Sequence, residues 1–498
     1  MKADVAVAGN GVLGWSLAVE LARRSRGLRV VVVGPASGPG GASAAAAAML
    51  NCFAEVTDTT SCHPASRAKF ALGWAALDAW PDWLDAMRDG SGRGPSVVSP
   101  GTFVVLGAQA TPTAVRNFEA VQAALKEHAE PHHEVQAADI PGLRPVPHER
   151  PLRALYLERE GAVDARAVLQ ALERCGRRLG VSVIDGRTSR LQAASGRCTG
   201  MSLEDGTEIS AGAVVVAAGT ASGPLLDQLL PARTPPLLHG TGCAARTLRH
   251  TWPGFDRVVR TPTRSGACGM HLVPLGGGVE YLGATHIVCF DPPPGPRLGV
   301  TQFLLRFATE QFDTRLGLSA IQHWHYASRP VPLDRFPLLG PAGIDNLYAA
   351  TGTYRDGFHS SPVIARHLAD VILTPGPLPE PLAPFTPVRG PIETTTAEES
   401  IDLFVSDEVE TAAEYGMRLP YFLDAGPIAA HARSQAHRAL ERLERPVALA
   451  PEVLTAVQDA SPAHIQHLNT YLQTSRSPLR PKPAADSATS MDCPVRQR

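Results

Sequence analysis

Gly9, Gly11 and Gly14 stand at the spacing Gly-x-Gly-x-x-Gly within the stretch VAVAGNGVLGWSLAVELARR. Chemistry at that spacing is done by backbone. The first glycine permits a tight turn, the second lets the main chain approach a pyrophosphate, and the third lets a helix pack closely on a strand. A helix opening at Val12 and Leu13 would aim its free N–H groups and the positive end of its dipole at the anion. The flanking elements suit that task. DVAVAG is a run of small and β-branched residues fit for a strand buried on both faces, and Leu17 and Leu21 with Ala18 and Ala22 follow at helical spacing. LRVVVVG at 28–34 then supplies the next parallel strand. In that strand–turn–helix–strand context the glycines read as a dinucleotide-binding turn and not merely as a joint. The second strand ends in Gly34-Pro35 where an acid would ordinarily hold the ribose hydroxyls, so either other groups such as Ser37 or backbone hold the ribose or cofactor affinity is weakened.

Four further segments, taken in order, resemble one family. GGASAAAAAML, which includes Gly41, Ala42, Ser43, Ala47 and Met49, is similar to the flavin-contacting stretch of the glycine oxidase and D-amino-acid oxidase group of FAD-dependent oxidoreductases. GAVDARAVLQALERCGRRLGVSVIDG (161–186) is an amphipathic helix with Asp164 as its N-cap, leading to a strand. ISAGAVVVAAGTASG (209–223) is a buried strand that turns at Gly219. DRFPLLGPAGIDNLYAATGTYRDGFHSSPVIARHLADVIL (334–373) resembles the family's closing segment, a strand, a Gly-rich turn between Gly352 and Gly357, and a helix aimed at the flavin. Tyr354, Arg355 and Asp356 lie in that turn and are expected at the cofactor.

The resemblance covers about residues 3–375 and implies FAD, hydride transfer from a carbon bearing an amine, and catalysis chiefly by position. A carboxylate on the substrate calls for Arg, whose planar fork binds it through two hydrogen bonds. Arg329, in HYASRPVPLDRFPLLG, matches the family's carboxylate-gripping Arg-Pro, and Arg355, in GTYRDGF, matches a second active-site arginine. Tyr354 reads equally as a pocket wall or a core tyrosine, and His63 and His359 as surface or packing residues. The chain departs from the family pattern at Gly34, at Thr353 after Gly352, and at His239-Gly240-Thr241. Trp324-His325-Tyr326 occupies the place where a related branch tethers flavin through Cys, so the FAD is expected to be non-covalent.

The expected architecture is α/β: a Rossmann-like FAD-binding domain (1–70, 155–235 and 326–375) interleaved with an antiparallel-sheet substrate domain (71–154 and 236–325). A Pro-rich linker (376–393), a helical extension (394–474) with Ser406 capping one helix, and a disordered tail (475–498) follow. With 46 basic against 48 acidic residues, no nucleic-acid or membrane partner is expected. The scattered cysteines show no Cys-x-x-Cys spacing, so no metal is expected, and they read as reduced thiols of a cytoplasmic protein. The substrate expected is a small amine or an amino acid, with O2 as electron acceptor; a homo-oligomer is compatible with the sequence. The leading function is an oxidase of amino acids or N-substituted amino acids in specialised metabolism. Three others stay open: a glycine oxidase of thiamine synthesis, a dehydrogenase with another acceptor, and a non-catalytic flavin-fold binding protein.

Overall fold

The computed structural model describes residues 1–38, 41–88, 94–265, 268–374, 376, 378–420 and 424–475. The strands Leu347–Thr351, Glu208–Val216, Lys2–Ala8, Val30–Val33 and Ser182–Ile184 lie side by side, all parallel. Leu338–Pro341 closes one edge antiparallel. Both faces of this sheet are covered, which is why its strands are apolar without alternation. Val5, Val7, Val30 and Val32 face the helices Val12–Arg24, Ala165–Arg178 and Ser361–Leu373. Ala6, Ala8, Val31 and Val33 face the hairpin of Thr188–Ala194 and Arg197–Leu203. Asp164 caps its helix as expected, accepting from the Ala167 N–H at 2.9 Å.

A second sheet runs from Met49–Leu50 through Pro151–Val163, Val97–Gly107, Val258–Arg260, His271–Gly276 and Val279–Gly283 to Leu237–Leu248. Ile287–Cys289 and Ala320–Pro332 both pair with that last strand. It is antiparallel as expected except that Val258–Arg260 runs parallel to Thr102–Val104. Several elements cross the expected domain lines. Pro151–Val163 and Ala320–Pro332 are unbroken across 154/155 and 325/326, and the helix Pro64–Ala86 passes 70/71.

The extension consists of the helices Ala397–Glu414, Gly426–Leu440, Pro451–Gln458 and Pro462–Thr474. Ser406 does not cap a helix. It lies inside Ala397–Glu414, whose cap is Thr396 in a reciprocal pair with Glu399, and its hydroxyl turns to Glu410 at 3.2 Å. A capping box satisfies two orphan donors at once, and Ile401 and Phe404 bury the turns between it and Ser406, so the helix starts at the earlier signal. Segment 376–393 is fastened to the body: Phe385 is buried, and Arg389 meets the buried Asp334 at 2.8 Å. The expected disordered tail from Arg476 onward lies outside the described residues. Among the described cysteines, Cys52, Cys175, Cys198, Cys243, Cys268 and Cys289 are free, but Cys62 is disulfide-bonded, which corrects the all-reduced expectation. No described helix is long and apolar enough to cross a membrane, and no described cluster of metal-ligating side chains occurs.

Candidate active site

A cavity of roughly 530 Å³ runs from the Gly9 turn, between the two sheets, to Arg329 and the Thr353–Phe358 turn. At its first end the glycines are there for space. Gly9 has φ +119°, and a Cβ on it would fall 2.2 Å from the Ala217 carbonyl oxygen; one on Gly14 would fall 2.0 Å from that of Gly9. The N-cap of helix Val12–Arg24 is Gly11, which has no side chain to cap the first turn. Ser43 Oγ takes the Val12 N–H at 3.1 Å, and the amides of Leu13 and Gly14 have no intrahelical partner to bond. A turn that admits no side chain and leaves helix amides facing a cavity is a cradle for a pyrophosphate. Gly11, Val12 and Leu13 line the cavity with Gly9, and Gly41, Ala42, Ser43, Ala47, Met49 and Gly219 line its length. Gly14 and Gly352 act from behind the wall: Gly352 has φ +69°, and a Cβ there would meet the Pro332 ring at 2.7 Å.

The missing ribose acid has a steric cause. A Cβ on Gly34 would lie 2.2 Å from the Asn10 side chain, whose Nδ2 donates to the Pro35 carbonyl at 3.1 Å. Asn10 occupies the place that a side chain at 34 would need. Ser37 does not line the cavity; Arg187 and Glu204 do, and these are the charged groups at that end. They come from a hairpin that carries no motif.

At the other end Arg329 sits in strand register with Gly240. A Cβ on Gly242 would fall 2.8 Å from Arg329 Nη1, so that glycine makes room for the guanidinium. Arg329 Nη1 meets His286 Nδ1 at 3.3 Å, and His286 Nε2 meets Tyr354 Oη at 2.8 Å. Burial first, then Arg355 and Arg329, push the His286 imidazole well below its usual range, so it is neutral. Arg355 lies over the Tyr354 ring at 4.8 Å, and its buried Nε has no partner among the described residues.

The acids on this part of the wall are each matched. Asp356 pairs with Lys69 at 2.9 Å, and Glu55 with the fully buried Arg260 at 2.5 Å. Burial alone would raise the Glu55 carboxyl, but Arg260 and Arg355 override it and hold it at about 2. Neither Arg329 nor Arg355 has a carboxylate partner within ion-pair distance among the described residues, so the cavity wall here is cationic. His271, also on the wall, is pushed down to about 4 by burial and by Arg260, and is neutral. Glu55, Arg260, His271 and His286 carry no sequence signal beyond residue type. His63 caps the helix Pro64–Ala86 by accepting from the Ala65 N–H, and His359, at the edge of the cavity, is buried with Nε2 2.7 Å from the Gly73 carbonyl.

Comparison with known proteins agrees with this geometry. The family model described as FAD dependent oxidoreductase (DAO) matches residues 4–371. The Bifunctional protein ThiO/ThiG of Trichormus variabilis is 28% identical over 378 residues, 75% of this chain and 53% of that protein. The glycine oxidase of Pseudomonas aeruginosa is 30% identical over 187 residues, 36% of this chain and 46% of that enzyme. The chain spans about half the length of the curated relatives it matches. Among solved structures, glycine oxidase from Geobacillus kaustophilus has a TM-score of 0.67 at 22% identity, covering 78% of this chain and 99% of that one. Iminodiacetate oxidase from Chelativorans sp. BNC1 has a TM-score of 0.63 at 21% identity, covering 77% and 98%. At such identities these two likenesses are of fold. With the family model spanning most of the chain and a glycine cradle that accepts a pyrophosphate, this protein belongs to the DAO family of FAD-dependent oxidoreductases, and FAD is its cofactor.

Proposed function

We propose that the protein oxidises the C–N bond of an amine that carries a carboxylate, an amino acid or N-substituted amino acid. The observation that carries this reading is Arg329, a guanidinium at the cavity wall with room made for it by Gly242 and no carboxylate of its own among the described residues. A buried cationic wall favours an anionic ligand and disfavours a simple alkylammonium. The chain's part is positional: Arg329 grips the carboxylate, Arg355 adds positive potential, and Tyr354 and neutral His286 hold Arg329 in place. The substrate nitrogen reacts unprotonated, its proton going to solvent before the step, and the imine product is hydrolysed to a carbonyl compound and an amine. FAD, held non-covalently along the wall from Gly9, Gly11 and Leu13 to the Thr353–Phe358 turn, would supply the hydride-accepting chemistry, with O2 as the final oxidant reduced to H2O2.

Specialised metabolism is favoured over thiamine synthesis by the departures at Gly34, Thr353 and His239-Gly240-Thr241, and by a helical extension beyond the family match. Anaerobic titration of the holoprotein with amino acids, N-alkylglycines, iminodiacetate and simple amines tests the reading. Bleaching by a carboxylated amine is expected, with Arg329→Ala raising the concentration required about 100-fold, as for loss of a charged hydrogen-bonded contact. Bleaching by glycine alone would return the thiamine reading, and bleaching only by amines without a carboxylate would overturn the clamp. Slow reoxidation by air would point to an acceptor other than O2.

A further inference from the structure

We propose that Glu452, on the C-terminal extension, is a positioning residue for Arg329, acting through Tyr354 and His286. The inference rests on the carboxylate clamp above. It concerns a part of the chain outside residues 4–371, where the family model ends. Glu452 lies in the first turn of helix Pro451–Gln458, and its Oε1 is 3.0 Å from Tyr354 Oη and 3.1 Å from Arg335 Nη1.

The direction of each hydrogen bond follows from the chemistry of the groups. Arg329 only donates, so His286 Nδ1 accepts from it. A neutral His286 then carries its proton on Nε2 and donates to Tyr354 Oη. The tyrosine hydroxyl is left to donate to the Glu452 carboxylate. Every link is used once and in one sense, so the carboxylate sets the tautomer that Arg329 requires. A second observation is independent of the hydrogen bonds. Tyr354 and Arg335 both take left-handed backbone conformations, with φ +56° and +62°, rare for residues with a Cβ. Glu452 touches both side chains. The extension thus holds in place two turns that the oxidase fold leaves strained.

The test is binding of acetate, the smallest carboxylate, to the full-length holoprotein, read from perturbation of the flavin spectrum. Glu452→Ala and Tyr354→Phe should each weaken acetate about 10-fold, the order expected for one lost hydrogen bond to a charged group. The double variant should be no weaker than either single one, since both cut the same chain. Glu452→Gln, whose amide oxygen still accepts from Tyr354, should restore most of the affinity. Should Glu452→Ala fail to fold, Tyr354→Phe breaks the chain while leaving the Glu452–Arg335 pair intact. Wild-type acetate affinity in both Glu452→Ala and Tyr354→Phe, or multiplicative losses in the double variant, would overturn the relay. If Arg329→Ala also binds acetate as wild type, the clamp reading itself fails; if it alone loses acetate, the clamp stands without the relay.

Discussion

Single side chains here are governed by what burial does to charge. His359 is enclosed beneath the closing turn, its ring donating to the Gly73 carbonyl at 2.7 Å, and burial pushes its pKa down to about 4 from an ordinary 6.5. Its folded pKa is depressed, so between those values the unfolded chain binds a proton that the native one refuses. Stability contributed by the neutral ring is whole above pH 6.5 and falls as the pH drops towards 4. Glutamine can keep the donor to Gly73 without titrating. His359→Gln should therefore lose its disadvantage on acidification: the stability gap to wild type should close by about 2 kcal/mol between pH 7 and 4.5. Urea midpoints at the two pH values measure it, and a constant gap would refute it. Legibility at this scale followed local geometry. Gly9 and Gly14 could be read from the sequence because they belong to one short motif with fixed spacing, and the carbonyl that excludes a side chain at Gly14 is that of Gly9 itself. Glu55 and Arg260 could not: they stand 205 positions apart and meet only because two sheets face one cavity. Asn10, which explains Gly34, carries no signal in the sequence because the motif leaves that position unspecified.

At the scale of elements, helices with strong ends were the legible ones. Ala165–Arg178 carries Asp164 at its cap and basic residues in its last turn, and Pro462–Thr474 opens on Ser461-Pro462. Ser406 is a false start because Ser-Asp-Glu is a start signal wherever it occurs, while the capping box ten residues earlier, Thr396 with Glu399, has already opened the helix and Ile401 and Phe404 are buried along it. The Pro-rich segment misled in another way, since proline content speaks of backbone shape and not of anchorage. Arg389 donates to both Asp334 oxygens and to the Phe336 carbonyl, and the Tyr471 hydroxyl donates to the Arg389 carbonyl. The segment is therefore a strap between the turn at 333–337 and the last helix. Arg389→Met strands a buried carboxylate and should cost about 3 kcal/mol. Arg433→Ala, which removes an exposed partner of Glu398, should cost under about 1 kcal/mol. Guanidinium melts of the two variants decide it, and equal losses would mean that the strap does not anchor.

Over the whole molecule, the point at issue is whether the extension is a separate domain. Its helices contribute Ile401, Phe404, Ala436, Leu454 and Leu468 to an apolar cluster, but that cluster also contains Leu238, Val331, Leu333 and Tyr354 from the oxidase body. Detaching the extension would strip cover from the strand that bears Arg329 and from the turn that bears Tyr354. Burial of a shared apolar face couples the stability of the two parts, because the extension's helices and the strand and turn beneath them lose cover together. One cooperative transition follows. In urea, loss of the extension's helices followed by far-ultraviolet circular dichroism and release of FAD followed by its fluorescence should share one midpoint, and added FAD should move both together. Two midpoints, with helix lost before flavin, would mean that the extension is an appendage and that the oxidase body closes its own active site.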